Sequence, residues 1–585
     1  MKKRRLVLFC LILLLGLIHP IYAEEDFDAY FSDAQSLDIQ NEGTSTLKRM
    51  WRNETIYLKV AIPIVQDTTI KLSATSLLNK QTKKEIEQVT YGHLETTSAS
   101  LGVGEQASYP HIEVPDILSR ETSFSAKANT IAYAWIQIHT SLNQASGTYE
   151  GSFLLETDQI TKELKIQIEV LDITVPSENE LSIDLWQYPH SSYRYYNHIQ
   201  EPFSKEHKEV LKEELRMYKA LGGNTITVSM IEEPWGHQTY DDTPSLIKWM
   251  RKEDGSVYFD YQWFDEWVSL CEEIGIDGRI EAFSILPFDP TIDYTTESGE
   301  KIRYYVEVGS EEWKSIWGYF LEMFLYHLEE KGWMDRTYIF IDERDNEQVK
   351  QAIALIQSIA VNNKQFKIAS AINRIPEELD LFDHINYVAI SVEAVGSHEE
   401  ELEGFLEHRK GLGLETALYN CSTNYPNAFA ISEPIESIWT MAYAYQMGFE
   451  GYLRWAYNAY VENPNETLDF HNFEAGDTLL IYPDAKEAIE PMPRKSMRLA
   501  MIEVGMQKVR QIKKLQELGY STQTDVTLKT IQKPKGAYNA YGAVVAQSEE
   551  EKEKVSNFVK SLEQALEQDT THYLQVKPRK INACP

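Results

Sequence analysis

Tyr338-Ile339-Phe340-Ile341-Asp342-Glu343-Arg344 is an apolar run, rich in β-branched and aromatic residues, that stops abruptly at two adjacent carboxylates. A buried parallel strand reads this way where its last residues emerge into a site. In a fold of alternating strands and helices, the C-terminal strand ends are where catalytic groups collect. A competing reading makes Asp342 the cap of the next helix and Glu343 a solvated surface residue. The surrounding chain decides between them.

Outward from this run, the sequence after Ser182 alternates short β-rich stretches with longer amphipathic ones. The candidate strands are 182–189, 224–230, 278–285, 337–343, 367–373, 385–393, 415–421 and 452–457. Eight is the number a (β/α)8 barrel requires. Helical patterning at 205–221, 311–331 and 346–361 separates them, and a helix after Arg494 would close the ring. The predicted fold class is therefore α/β: a TIM-type (β/α)8 catalytic barrel over 179–518, preceded by an all-β sandwich over 24–178. The sandwich rests on alternating runs from Thr55, Thr130 and Lys162, with turn residues such as Ser146-Gly147 between them. Its expected role is accessory, packing on the barrel or touching long substrates. Residues 519–585 read as a helical and extended tail, charge-rich over 548–568 and poorly ordered from Lys577 to Lys580, with no chemistry assigned.

The N-terminus reads as an export signal. Met1-Lys2-Lys3-Arg4-Arg5 is a basic start, Leu6 to Ile18 an apolar core, and Ile21-Tyr22-Ala23 a cleavage site, giving a leader over 1–23. The apolar core is short for a membrane span, and no later segment resembles one. Secretion is the expectation, with an uncleaved anchor as the alternative. The chain carries 90 acidic against 56 basic residues, a net charge of −34, and loss of the leader makes it more negative still. That charge argues against nucleic acid and anionic membranes as partners. Of the four cysteines only Cys271, Cys421 and Cys584 would survive cleavage, an odd number without metal-ligand spacing, so neither a disulfide framework nor a metal is expected.

At the expected barrel mouth stand Trp186 and Tyr188 from the first strand, Glu281 from the third, and Asp342 and Glu343 from the fourth. Glu393 follows from the sixth strand, Tyr419 and Asn420 from the seventh, and Arg454, Trp455 and Tyr457 from the eighth. Carboxylates, amides and aromatic faces together suit a polyhydroxylated ring, so the expected partner is a glycan. Arg454 is as well explained by a buried ion pair, and Asn420 by loop backbone groups. A conventional retaining glycosidase needs an acid/base and a carboxylate nucleophile. The seventh strand, Glu415-Thr-Ala-Leu-Tyr-Asn-Cys, has its only carboxylate at the wrong end. A substrate-assisted mechanism needs only two neighbouring carboxyls, because the sugar's 2-acetamido oxygen attacks the anomeric carbon. Both can serve only if the strand ends or bulges between them. A two-carboxylate glycosidase using Glu343 with Glu281 or Glu393, and a binding protein without turnover, remain as alternatives. His237 lacks a His partner at helical ligand spacing and reads as a hydrogen-bonding wall residue.

The sequence also resembles glycoside hydrolase family 123 from about Trp186 to about Arg498. The carriers are His237-Gln-Thr-Tyr240, Asp254-Gly255, Phe259-Asp-Tyr261, Lys331-Gly-Trp333, Ile341-Asp-Glu-Arg344, Gly451 to Asn458, Glu462-Asn-Pro464, Gly476-Asp477 and Tyr482-Pro483. The resemblance implies a β-N-acetylgalactosaminidase retaining configuration through an oxazolinium intermediate, without cofactor. It makes Glu343 the acid/base and Asp342 the stabiliser of the acetamido group; His237 and Tyr240 are themselves expected among the substrate-binding residues. Burial and the Asp342 charge would then raise the Glu343 pKa toward ~6–7. After the barrel, Ser496-Met-Arg498 and the basic Gln507-Lys-Val-Arg510 depart from the family pattern.

Overall fold

The computed structural model describes residues 27–103, 109–375, 379–395, 399–420, 422–538 and 548–577. The expected leader, Cys421, Cys584 and the basic end from Pro578 lie outside the described residues.

Eight parallel strands form one sheet. They are β1 (Ser182–Leu185), β2 (Ile226–Ser229), β3 (Ile280–Phe283), β4 (Thr337–Ile341), β5 (Lys367–Ile372), β6 (Tyr387–Ser391), β7 (Glu415–Tyr419) and β8 (Gly451–Arg454). Their order is β1-β8-β7-β6-β5-β4-β3-β2, with helices between them on the outer side. Side chains alternate across each strand. Ile183, Val228, Ile280, Ile339, Ile341, Val388 and Leu418 point outward into a core shared with the helices. Trp186, Phe283, Phe340, Ala369, Ala389, Ala417 and Leu453 point inward and form a separate cluster.

The ring expected from the sequence is incomplete. Among the described residues no backbone ladder joins β1 to β2, which are the two ends of the sheet. Side chains cover this seam instead. Gln187 N donates to Thr227 Oγ1 at 3.0 Å, and Gln187 Oε1 accepts from Thr227 N at 3.1 Å. Gln187 Nε2 donates to the Leu185 carbonyl. Tyr218 OH reaches the Ile183 carbonyl at 3.0 Å, and Trp267 Nε1 the Thr227 carbonyl at 3.0 Å. The chain is thus a curled, half-barrel-like sheet whose backbone edge groups are satisfied by side chains rather than by strand pairing.

The floor of this sheet is ionic. The Arg279 guanidinium meets Glu281 at 2.6 Å, Glu415 at 3.0 Å and Asp184 at 3.2 Å, and lies 3.7 Å from the Tyr387 ring centre. Tyr387 OH donates to Asp184 at 3.1 Å. Burial chiefly, and then the Asp184 charge, push the Glu281 carboxyl well above its ordinary range.

The N-terminal region is β-rich. A five-stranded sheet, in which Gln88–Ser100 pairs with His111–Leu118, shares a core with a seven-stranded one. The alternating run after Lys162 buries Leu164, Ile166, Ile168 and Val170 in it. A second cluster joins this region to the helices through Trp51, Tyr57, Ile117 and Trp135. Their boundary is fixed by buried Asp116, which pairs with Arg498 at 2.8 Å and accepts from Tyr482 OH. Beyond the closing helix Met497–Leu518, the helix Glu549–Val576 buries Val555, Val559, Leu562 and Leu566. No helix of the described residues is long and apolar enough to cross a membrane.

Gln187→Ala leaves the Leu185 carbonyl and Thr227 N–H without their partners inside the seam. It should destabilise the protein by about 1–3 kcal/mol, measured as a lowered urea midpoint, and Thr227→Val by less.

Candidate active site

β4 stops at Ile341, and this stop lets both carboxylates serve one cavity. Phe340 points inward, so Asp342, two residues on, continues on the inner side. Glu343 lies past the last paired residue and is free of the alternation. It turns toward the neighbouring strand ends, where Tyr419 OH donates to Oε1 and Asn373 Nδ2 donates to Oε2 at 2.9 Å. Capping of the next helix falls to Asp345, whose side chain accepts from Gln348 N at 3.0 Å. The capping reading of Asp342 therefore does not apply.

Asp342 accepts from Glu343 N at 2.8 Å. Burial, and next the charge of Glu343, push its carboxyl up to about 6. Arg344 is tied back by Nε to the Leu286 carbonyl and by Nη1 to the Glu343 carbonyl, and stacks 3.7 Å from the Phe288 ring centre.

The opposite wall is aromatic. Tyr188 packs against Trp235 and Trp455, with ring centres 5.2 and 6.3 Å away, and donates to the Trp455 carbonyl at 3.1 Å. Trp186 lies beneath them among Trp235, Phe283 and Phe340. The Tyr188 phenol is pushed well up, first by burial and then by the charges of Asp342, Glu233 and Asp477. The Trp455 indole is fixed by Nε1 to Asp477 at 3.0 Å, and its ring meets Phe473 at 4.9 Å. Gly476 precedes Asp477 at φ 80, where a Cβ would stand 3.1 Å from Ala430 and from Arg498. A side chain there would displace the carboxylate that holds Trp455.

Several expected substrate contacts are elsewhere. Glu281 is fully buried in the ionic floor, because β3 begins only at Ile280. It is level with Tyr338, four residues before Asp342, which is about 13 Å along a strand. Arg454 is also fully buried and is spent on Asp477 and Asn427, both at 2.7 Å. Asn420 donates to the Pro426 carbonyl and accepts from Tyr452 OH, so it holds a loop. Tyr457 lies beyond the end of β8 and donates outward to the Glu214 carbonyl at 2.8 Å. Glu393 opens a helical turn, is exposed, and takes a hydrogen bond from Asn424 at 3.2 Å. His237 and Tyr240 stand on the exposed loop after β2. There His237 Nδ1 lies 3.2 Å from Asp242 and 3.6 Å from Glu233, a grouping of metal-ligand types in which both Glu233 oxygens already accept backbone N–H groups.

The family model described as glycoside hydrolase 123, catalytic domain, matches residues 186–515. The chain belongs to glycoside hydrolase family 123. Among solved structures, a family 123 glycoside hydrolase from Clostridium perfringens, described in terms of glycolipid glycan hydrolysis, is similar at 28% identity and a TM-score of 0.89. The match covers 94% of this chain and 100% of that one. A family 10 xylanase with a bacterial Ig-like domain, from termite gut, matches 80% of this chain and 100% of its own at 7% identity and a TM-score of 0.34. No match was found among curated proteins.

Within this family 123 glycosidase, four residues of the site are absent from the expected contacts, Asp477 having been read only as part of the Gly476-Asp477 motif. Asn373 was within reach, since it continues the inward alternation Ala369, Ala371 along β5. Trp235, Phe473 and Asp477 sit in long loops without periodicity and meet the site only through the fold.

Ionising a carboxyl held up to about 6 costs the folded state stability at neutral pH. The native state binds more protons than the unfolded one between the ordinary value of 3.8 and about 6, so this contribution is lost as pH rises through that window. Asp342→Asn should therefore stabilise the fold by about 1–3 kcal/mol at pH 7 and by little at pH 4, as read from denaturation midpoints.

Proposed function

We propose that this family 123 glycosidase releases β-linked N-acetylhexosamine, with N-acetylgalactosamine as the preferred sugar, by a retaining, substrate-assisted mechanism. The observation that carries this reading is the pairing of Asp342 with Glu343 opposite a β7 end that offers Tyr419 rather than a carboxylate. The alternative nucleophiles are poorly placed: Glu281 lies in the floor and Glu393 is turned onto Asn424. The C. perfringens enzyme's description in terms of glycolipid glycans fits a glycan substrate here.

In this mechanism the acetamido oxygen attacks the anomeric carbon while the glycosidic bond breaks. Glu343 gives its proton to the leaving oxygen, and the Asp342 carboxylate accepts from the acetamido N–H and stabilises the oxazolinium cation. Water then opens that ring and returns a proton to Glu343. Trp455, fixed by Asp477, supplies an apolar face for the sugar. We further propose that the export signal read over residues 1–23 carries the enzyme to glycans outside the cell, whether cleaved or kept as an anchor.

Purified enzyme should cleave an aryl β-N-acetylgalactosaminide and spare the matching β-galactoside. Asp342→Asn and Glu343→Gln should each lower kcat/KM by about 10²–10⁴. Cleavage of the plain galactoside would refute the substrate-assisted reading.

The mechanism needs Asp342 as a carboxylate, and its carboxyl is held up to about 6, so kcat/KM should rise as pH increases through about 6. A profile flat from pH 5 to 8 would contradict this assignment.

A further inference from the structure

The N-terminal β-rich region reaches the loop beyond β8. Its strand Gln88–Ser100 runs alongside residues 464–469 rather than ending against the helices. Ser98 N donates to the Glu466 carbonyl at 2.9 Å, and Leu468 N donates to the Ser98 carbonyl at 2.9 Å. Buried Thr97 donates through Oγ1 to the Pro464 carbonyl at 3.0 Å. Asp469 closes the contact with both oxygens, one accepting from Ser100 N at 3.0 Å and the other 2.6 Å from His111 Nε2.

The residues just after Asp469 lead directly into the site. Phe470 and Phe473 stack with centres 6.3 Å apart, and Phe473 lies 4.9 Å from Trp455. Asn472 donates to the His237 carbonyl at 3.4 Å, and Phe470 meets Tyr240, so the same loop also steadies the loop after β2. Asp477 fixes the Trp455 indole nitrogen, while Phe473 packs on its ring.

We propose that the hairpin of Gln88–Ser100 and His111–Leu118 is a positioning element of the glycosidase site: clasped by Asp469, it holds the 464–473 loop so that Phe473 stays against Trp455. The region outside the family 123 match thus completes the substrate wall. This rests on the reading of Trp455 as the sugar platform. His111 and Asp469 are positioning residues; neither touches the carboxylate pair in the structure. Loosening the clasp should weaken sugar binding more than it slows bond cleavage.

The test uses the full-length enzyme and the variants His111→Ala, Asp469→Ala, their double, and His111→Gln, whose amide can still donate to Asp469. Two readouts are taken: kinetics on the aryl β-N-acetylgalactosaminide, and hydrogen–deuterium exchange of the peptides spanning 466–473. Each alanine variant should raise KM about five- to tenfold with kcat within about twofold. Exchange of the loop should quicken in each, with little change in the strands of the parallel sheet. The double should be no worse than the worse single, and His111→Gln should recover part of the loss. Unchanged KM and unchanged loop exchange would overturn the proposal, as would a uniform rise in exchange across the whole chain. If the wild type cleaves neither aryl sugar, the substrate reading fails, and loop exchange alone then decides the clasp.

Discussion

A parallel strand shows the interior of a curled sheet every second side chain, and that constraint sorts this protein into layers. Asp184, Glu281, Tyr387 and Glu415 fall at one level and surround Arg279. Two residues further on, Trp186, Phe283, Phe340, Ala389 and Ala417 fill the middle with aromatic bulk offset by alanine. Two further again, Tyr188, Asp342, Asn373 and Tyr419 reach the mouth. The ionic floor closes the far end, and the aromatic layer separates its charges from those of the carboxylate pair. A carboxyl can therefore be raised at the mouth by its own burial and its neighbour, without interference from three more acids below.

How much of this was legible depends on the same period. The apolar run into Asp342 and Glu343 carried the site because its end is marked in the sequence by an abrupt change of polarity. Glu281 has the correct parity but the wrong level. Nothing in Gly278-Arg-Ile-Glu-Ala-Phe marks where pairing begins, so an acid at the second residue of β3 looked like one near its end. Tyr457 and Asn420 failed for a different reason. Once β8 ends at Arg454 and β7 at Tyr419, the backbone turns and alternation no longer assigns a side chain to a face. Arg454 was legible as an inward residue, but its partner Asp477 lies 23 positions away in a loop, beyond any local pattern. The missing ladder between β1 and β2 is similarly invisible, because eight strand-like runs are compatible with a closed or an open ring.

The parts outside the sheet act mainly on two of its loops. The tail that carried no expected chemistry inserts Tyr538 between Tyr425 and Phe429, with its hydroxyl 2.6 Å from buried Glu436. Glu436 also accepts from Asn427 N at 2.8 Å, and Asn427 in turn receives Arg454. Support for Trp455 thus arrives through Asp477, Arg454, Asn427 and Glu436 from the C-terminal side. The strands of the curled sheet set where the carboxylates stand, whereas segments from both ends of the chain set how firmly the facing aromatic is held.

The open seam has a consequence for how the chain is made. Without a ladder to β2, β1 has a single strand neighbour among the described residues, β8, and Ser182 pairs with Gly451. The β-rich region that precedes it has its own strands complete within the first third of the sequence. At about 5–20 residues per second, β1 leaves the ribosome roughly 15–50 s before the strand it will pair with. Its seam-side partners, Tyr218 on the Ile183 carbonyl and Gln187 on the Leu185 carbonyl, lie in the part of the chain made before that strand. The seam is thus built wholly from early residues, whereas the ladder on the other edge of β1 waits for residues 451–454.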